Sequence, residues 1–180
     1  HAPLLPYYEK KFQDEAMVRS VHHGTHIEGN ELNLTQAEKV LQGEEVVARQ
    51  RDVQEVINYR KVMEFVDKLQ VINDTLQVDE NLIKKLHVMT VEKVLSPDKC
   101  GEYRKSQVVI KNNQTGEVTF RPPPAISVPF QIRDLIAFIN SSNSQDIHPF
   151  LRSGIVHYEF VRIHPFVDGN GRVARALSTL

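Results

Sequence analysis

Apolar residues recur every three or four positions along most of the chain, and this spacing predicts a mainly α-helical protein. The clearest stripe lies within 44–70, where the apolar positions are Val46, Val47, Val53, Val56, Ile57, Val62, Met63, Val66 and Leu69. Segment 7–30 is rich in helix formers and ends at Gly29-Asn30, a pair typical of a left-handed helix cap. We expect the apolar stripes of these helices to form the core of a bundle.

Capping residues indicate where two further helices begin and end. Thr35 and Glu38 have the spacing of a capping box, and Gly43 marks the end of that short helix. Asp79 is the predicted N-cap of a helix that runs to Val94. Both helices belong to the first half of the chain, which therefore reads as helical throughout.

The pattern changes in segment 104–124, where two β-rich runs flank the turn residues NNQTG and three prolines follow. This arrangement predicts a β-hairpin. Helices are predicted again over 127–139 and over the strongly apolar 148–163. Because Pro165 disfavours helical geometry in the residue before it, we expect the last of these helices to stop there and His164 to be extended.

The composition is that of an ordinary globular protein. A chain of 180 residues, 41% hydrophobic and 25% charged, is long enough for one domain with a real core. Its net charge of −1 gives no indication of direct nucleic-acid contact or of binding to an anionic membrane. No apolar run approaches the roughly 18 residues of a membrane span.

Two further observations concern the cellular location of the protein and the ends of the sequence. The single cysteine, Cys100, cannot form an internal disulfide, so no oxidising compartment is required and we expect a cytoplasmic location. The sequence begins with His1 rather than Met and stops five residues past Arg175. Both ends suggest a piece of a longer protein, in which a targeting segment could precede the first residue.

The stretch HPFVDGNGRVAR, which begins at His164, concentrates chemically useful groups. A histidine fixed at the end of a buried helix suits a general base, and the carboxylate of Asp168 suits Mg²⁺. The glycine-bearing turn 169–171 leads into a helix start, where free N–H groups bind anions. Arg172 and Arg175 lie one helical turn apart, as a polyphosphate ligand requires. Together these groups indicate phosphoryl or nucleotidyl transfer, whereas any one of them could be an ordinary solvated loop residue.

This stretch resembles the signature of the Fic family, His-Pro-Phe-x-Asp/Glu-Gly-Asn-Gly-Arg-x-x-Arg, at every fixed position. The stretches GEYRKSQVVI and FRPPP resemble the approach and exit of the family's flap. The resemblance implies a mainly α fold, a Fic-fold helical bundle with a β-hairpin flap beside the active site. We expect a Fic core over 80–180, truncated at its C-terminus. An N-terminal helical region over 1–79 would precede it and include an inhibitory helix at about 7–30.

The resemblance implies an enzyme, a protein adenylyltransferase that moves AMP from ATP to a hydroxyl side chain of a target protein. His164 would be the catalytic base, and Asp168 would hold Mg²⁺ against the phosphates. The other nucleotide-binding residues implied are Gly169, Asn170, Gly171, Arg172 and Arg175. Some inhibited members also remove AMP, so both directions remain open.

The resemblance also implies how partners bind. The flap would hold the target protein, which exposes a Ser, Thr or Tyr, by adding a strand to it. The flap residues Ile110, Lys111, Asn112 and Asn113 would also contact the nucleotide. A homodimer is a further expectation, because members of the family often dimerise.

A second stretch, HIEGN, resembles the family's autoinhibitory motif, Ser/Thr-x-x-x-Glu-Gly/Asn. By this resemblance Glu28 would pair with Arg175 and occupy the space that the γ-phosphate needs. The sequence departs from the motif at Gly24, where Ser or Thr is usual, and Thr25 comes one residue too late. Without the resemblance, Glu28 reads as an ordinary acidic residue at a helix end.

Three alternatives remain open on the sequence. A Fic-fold enzyme could transfer UMP, phosphocholine or phosphate, although the phosphate-transferring Doc-like relatives have Lys where Gly171 stands. The domain could instead be a nucleotide-sensing regulatory or toxin–antitoxin module that keeps the motif without catalysis. His22 and His26 have the spacing of a zinc pair, but no third ligand is evident and we expect a solvated helix face.

Overall fold

The computed structural model describes residues 5–72, 76–112 and 115–180, and its main elements are helices joined by short loops. The helices are α1 (Pro6–His26), α2 (Leu34–Gln42), α3 (Gln50–Ile72), α4 (Glu80–Val91), α5 (Val128–Ile139), α6 (Ser142–Gln145), α7 (Pro149–Ile163) and α8 (Asn170–Thr179). Two short strands, β1 (Ile110–Lys111) and β2 (Val118–Phe120), form the one sheet of the described residues. The predicted mainly α fold with a small hairpin is confirmed.

Helix α8 lies at the centre of the bundle. It packs against α7, α4, α3 and α1, and its apolar side chains Val173, Ala174, Ala176 and Leu177 are buried among them. The long helix α3 supplies a second part of the core through Val56, Val62 and Val66. Because α8 begins with the Gly-Asn-Gly turn, this packing fixes the phosphate-binding candidate from several sides.

Several predicted helix boundaries need correction. The capping box of α2 is formed by Asn33 and Gln36 rather than by Thr35 and Glu38, because Asn33 accepts from the Gln36 N–H at 2.9 Å. The predicted end at Gly43 is confirmed, with a left-handed φ of 83°. The helix predicted from the apolar stripe in 44–70 starts too early, since α3 begins at Gln50.

The N-cap at Asp79 is confirmed by a 2.7 Å hydrogen bond from the Leu82 N–H to its side chain. The helix it starts ends at Val91, three residues before the predicted Val94. The hairpin is confirmed in position but is short, with Ile110 paired to Phe120 and an irregularity after it. Asn113 lies outside the described residues.

His164 does not adopt the extended conformation predicted from the following proline. It has φ 50° and ψ 60°, which is left-handed helical geometry. The conformation makes His164 the C-cap of α7, with its N–H donating to the Phe160 carbonyl at 3.0 Å. The Arg104 guanidinium donates to the His164 carbonyl at 2.8 Å, so both backbone groups of this residue are satisfied in the turn. A proline disfavours right-handed helical geometry in the residue before it, and His164 avoids that geometry by turning left-handed rather than by extending.

Among the helices of the described residues, none combines the length and the apolar character that crossing a membrane requires.

Candidate active site

The site is built on the loop between α7 and α8. Helix α7 carries the chain to His164, and the next helix begins at Asn170, so the loop has both ends fixed in the core. Phe166 is fully buried in the middle of this loop. Its ring stacks on that of His87 from α4, with 3.7 Å between the ring centroids and an interplanar angle of 3°. The buried pair anchors the loop to the bundle.

Hydrogen bonds within the loop complete its shape. The Asn170 side chain accepts from the Phe166 N–H and donates to the Phe166 carbonyl, both at 2.9 Å. Gly169 adopts φ 78°, and a β-carbon there would lie 2.9 Å from the Val91 side chain. The loop therefore needs Gly169 for its backbone and Asn170 for its internal hydrogen bonds. The side chain of Asn170 is used within the loop, which leaves its backbone for the predicted nucleotide contact.

His87 of α4 also forms a hydrogen bond with the backbone of this loop. The Gly101 N–H donates to its Nδ1 at 2.9 Å, so the ring proton is on Nε2, which lies 3.2 Å from the Asp168 carbonyl. Burial lowers the pKa of His87 to about 4, and the ring is therefore neutral at ordinary pH. His87 thus acts as a neutral donor to the loop backbone.

His164 presents a ring suited to proton transfer. Its Nδ1 faces the Val161 carbonyl at 3.4 Å, which favours a proton on Nδ1 and leaves Nε2 as the acceptor. Burial lowers the pKa of His164 below its ordinary value, and the positive charge of Arg104 acts in the same direction. A neutral imidazole at pH 7 is the state a general base requires.

Arg172 and Asp168 belong to a ring of four charged side chains. Arg172 is buried and contacts Asp168 Oδ1 at 3.3 Å and Glu55 Oε1 at 3.4 Å. Arg51 closes the ring through Glu55 Oε1 at 3.0 Å and Asp168 Oδ2 at 2.5 Å. Charges alternate around this ring, so each buried charge faces partners of opposite sign.

Arg175 is brought to Glu28, as the sequence resemblance implied. Its Nη2 donates to Glu28 Oε1 at 2.8 Å and to the Gly24 carbonyl at 2.6 Å. The Glu28 carboxylate also lies against Gly171, where an added β-carbon would overlap Oε1 and approach Cδ to 2.7 Å. One carboxylate therefore covers both the second arginine and the first turn of α8.

Buried polar contacts hold the turn that carries Glu28. Gly29 has the predicted left-handed φ, at 93°, although α1 has already ended at His26. The buried Asn30 side chain donates to the Asp52 carbonyl at 3.0 Å and to Glu55 Oε2 at 3.1 Å. Because Glu55 also contacts Arg172, the turn is linked to the charged ring.

Packing against Tyr59 leaves no room for a side chain at Gly24. A β-carbon at this position would overlap the buried ring of Tyr59 from α3. The Tyr59 hydroxyl lies beside Arg175: burial raises its pKa, and that arginine acts in the opposite direction. A serine or threonine in place of Gly24 would meet the tyrosine ring, which explains the departure from the inhibitory motif.

The described flap residues that were predicted to contact the nucleotide lie in or next to the hairpin. Ile110 and Lys111 pair with β2, and the Asn112 side chain accepts from the Thr115 N–H at 3.2 Å, so these residues are ordered by the hairpin itself. Their contact with a nucleotide stays a prediction.

Arg104 connects the hairpin to the loop between α7 and α8. This buried guanidinium donates to the carbonyls of Ser106 at 3.1 Å, Pro123 at 2.5 Å and His164 at 2.8 Å. Its backbone N–H donates to the Pro165 carbonyl at 2.9 Å. Both ends of the flap are therefore attached to the loop that carries the candidate base.

A magnesium ion fits the donor set, although the structure does not form a cage for it. No group of three His, Cys, Asp or Glu residues converges within the described parts of the chain, which also gives no support to a zinc site at His22 and His26. Mg²⁺ bound to nucleotides commonly takes one or two protein carboxylates and completes its shell with phosphates and water. Asp168 is partly exposed beside the start of α8 and offers such a carboxylate.

Comparison with known proteins identifies the family. Residues 77–180, more than half of the chain, match the Fic/DOC family. The chain belongs to the Fic/DOC family. Among curated Fic relatives, protein adenylyltransferase fic-1 of Caenorhabditis elegans is 30% identical over 175 residues, and protein adenylyltransferase Fic of Aedes aegypti is 27% identical over 172 residues.

The Fic fold is also found in solved structures. A Fic domain containing signaling protein from Bacteroides thetaiotaomicron superposes with a TM-score of 0.86 at 28% identity, covering 98% of this chain and 65% of that one. The two curated alignments cover 95% and 93% of this chain. They cover 32% of each relative, so this chain spans about a third of the length of the curated relatives it matches.

Sequence reasoning missed the Fic-site residues that come from α3 and α4. A signal for α3 was present, since Asp52, Glu55 and Asn58 recur every three residues among apolar positions. All three are buried, and Glu55 among them contacts Arg172 of the motif. No local pattern distinguished His87 or Arg104, whose roles depend on contacts with distant segments.

Proposed function

We propose that this chain carries the catalytic centre of a protein adenylyltransferase, which moves AMP from ATP to a hydroxyl group of a target protein. The observation that carries the proposal is the position of His164 near two motif groups. His164 lies on the loop that carries Asp168 and leads into α8, and Glu28 contacts Arg175 and Gly171 of that helix. A candidate base, a candidate metal-binding carboxylate and the candidate phosphate site thus come from one loop and the helix that follows it. The names of the curated relatives support this reaction over other transfers.

The proposed transfer is a single displacement at the α-phosphorus of ATP. The target hydroxyl oxygen forms a bond to this phosphorus, while the bond to the β-phosphate oxygen breaks and pyrophosphate leaves. The hydroxyl proton moves to Nε2 of His164. The neutral ring and the Nδ1 contact with Val161 prepare the base for this step.

The remaining motif residues orient the phosphates. The backbone of Gly169, Asn170 and Gly171 begins α8, whose N-terminus favours negative charge. Arg172 and Arg175 both come from the first two turns of α8, and each keeps a buried Nε without a hydrogen-bond partner among the described residues. Asp168 would hold Mg²⁺, which supplies charge neutralisation on the phosphates when bound.

Glu28 is proposed to be inhibitory. While it bonds to Arg175 and covers Gly171, a phosphate cannot use the same guanidinium face and the same helix start. ATP could still bind with a displaced γ-phosphate, but the α-phosphorus would then be out of line for attack, which is costly to the rate. The activity of the wild-type chain is therefore expected to be low.

The target protein is proposed to bind along the flap. Strands β1 and β2 are short and exposed, so backbone groups at their edges are available to a segment of another protein. Arg104 connects both ends of the flap to the loop of His164, which would bring a bound hydroxyl towards the base.

The test uses the Glu28→Gly variant, because inhibition would otherwise hide the reaction. Parallel incubations contain ATP labelled at the α-phosphate or at the γ-phosphate, with protein-bound label as the readout. Label from the α-position, lost in Glu28→Gly combined with His164→Ala, is the expected result. Label from the γ-position would indicate phosphate transfer instead. Nucleotide binding without either label would indicate a sensor module.

A further inference from the structure

Arg51 of α3 lies on the carboxylate that the proposed function assigns to Mg²⁺. Its Nη2 contacts Asp168 Oδ2 at 2.5 Å, across 117 residues of sequence. The other oxygen, Oδ1, accepts from the Gly169 N–H at 2.5 Å and from Arg172 at 3.3 Å. Both oxygens of Asp168 therefore have donors, and the guanidinium of Arg51 takes the place beside Oδ2 that a cation would need.

The two arginines on Asp168 are held differently. Arg172 is buried in the bundle, whereas the Arg51 side chain is 55% exposed. Arg51 is also attached by its Nε to Glu55 Oε1 at 3.0 Å, independently of the Nη2 contact. Nη2 can thus leave Asp168 while Nε keeps its contact with Glu55. The release therefore leaves no buried charge without a partner.

We propose that Arg51 is a displaceable cation that occupies the metal side of Asp168 until a divalent ion with its nucleotide replaces it. This inference rests on the proposed function for the role of Asp168. A divalent ion on Asp168 Oδ2 would repel the guanidinium of Arg51, which is already in contact with that oxygen. Arg51 therefore raises the concentration of metal at which the site fills, and it neutralises Asp168 in the meantime. Arg51 is a positioning residue in this scheme and takes no part in bond making.

The test measures metal binding rather than turnover. Mn²⁺ is titrated into the protein and followed by electron paramagnetic resonance, first alone and then with an ATP analogue that has a methylene bridge between the α- and β-phosphorus atoms. Arg51→Gln removes the charge and keeps much of the side-chain length. Its dissociation constant for Mn²⁺ is expected to fall roughly two- to fivefold or more, the range of a partly exposed ion pair. Arg51→Lys, which keeps the charge, is expected to stay closer to wild type.

Arg60→Gln is the matched control, because Arg60 forms an i,i+4 pair with Glu64 on the same helix. It is expected to bind Mn²⁺ as wild type does. The gain from Arg51→Gln should also disappear when it is combined with Asp168→Asn, since the effect acts through that carboxylate. Arg51→Ala gives the same comparison if Arg51→Gln does not fold.

Unchanged or weaker Mn²⁺ binding by Arg51→Gln would overturn the inference. An equal gain in the Asp168→Asn background would also overturn it, because the effect would then be a general loss of positive charge. The label experiment separates this outcome from a failure of the proposed function. Label transfer with no Arg51 effect on Mn²⁺ removes the inference and leaves the transferase, whereas the expected Mn²⁺ result without any label supports the inference and removes the transferase.

Discussion

Glu28 and Arg175 are 147 residues apart in sequence, and their side chains meet at 2.8 Å beside the start of α8. The same guanidinium nitrogen donates to the carbonyl of Gly24 at 2.6 Å, so α1 and the turn that follows it each supply one acceptor. The Glu28 carboxylate in turn rests on Gly171 at the start of α8. The turn that follows α1 therefore contacts the phosphate-binding candidates Gly171 and Arg175 of α8.

Gly171→Ala should displace Glu28, because the added methyl group overlaps its carboxylate. The carboxylate is the end of a flexible side chain and can move, so we expect a loss of about 1 kcal/mol in the free energy of unfolding. In the Glu28→Gly background the same substitution should cost little. Thermal unfolding of the four proteins gives the coupling energy, and additive effects would show that the two positions are not in contact.

Gly24→Ala should destabilise the protein although alanine is the better helix former. The β-carbon would overlap the ring of Tyr59, which is itself buried, and overpacking of this kind typically costs 1–3 kcal/mol, against about 1 kcal/mol gained in propensity. Gly154→Ala in α7 is the control, since nothing lies within 4 Å of its β-carbon. It should leave stability unchanged or raise it by up to about 1 kcal/mol. Equal effects of the two substitutions in urea unfolding would contradict the packing of α1 on α3.

Stability should fall in acid partly because of His87. Burial lowers its pKa from 6.5 to about 4, so between these values the unfolded chain takes up a proton that the folded chain does not. The contribution of His87 to the free energy of unfolding is full above about pH 6.5. It declines as the pH falls towards 4, by up to about 3 kcal/mol. His87→Gln has no group to titrate and can still donate to the Asp168 carbonyl. The difference in unfolding free energy between wild type and this variant should therefore shrink from pH 7 to pH 4, and a constant difference would refute the assignment.

Local spacing was sufficient to predict much of the fold and the central motif. The periodicity of 148–163 and the proline after it located α7, and the Gly-Asn-Gly turn located the start of α8. These features depend on neighbouring residues, which a sequence displays directly. The boundaries of α2 and α3 were less well predicted, because Thr35 and Val46 fit a helical pattern but are not at the helix starts that the structure has.

Contacts between distant segments could not be predicted in the same way. Arg51 reads as one more charge on an amphipathic helix, and its position on Asp168 follows from how α3 packs against α8. Gly24 departs from the inhibitory motif on the sequence, and only the structure shows that the ring of Tyr59 fills the space that a side chain would take. The left-handed turn of His164 depends on Arg104, 60 residues away, as much as on the proline beside it.

The most direct test of autoinhibited transfer compares the wild-type chain with Glu28→Gly under identical conditions, using ATP labelled at the α-phosphate. Removing the carboxylate frees Arg175 and uncovers Gly171, so protein-bound label should rise by up to about 10²-fold, the cost that a misaligned phosphate can impose. Glu31→Gly is the matched control, because this nearby glutamate pairs with Arg49 at 3.3 Å and makes no contact with Arg175. It should label as wild type does. Equal labelling of wild type and Glu28→Gly, with both proteins folded and bound to ATP, would contradict the account.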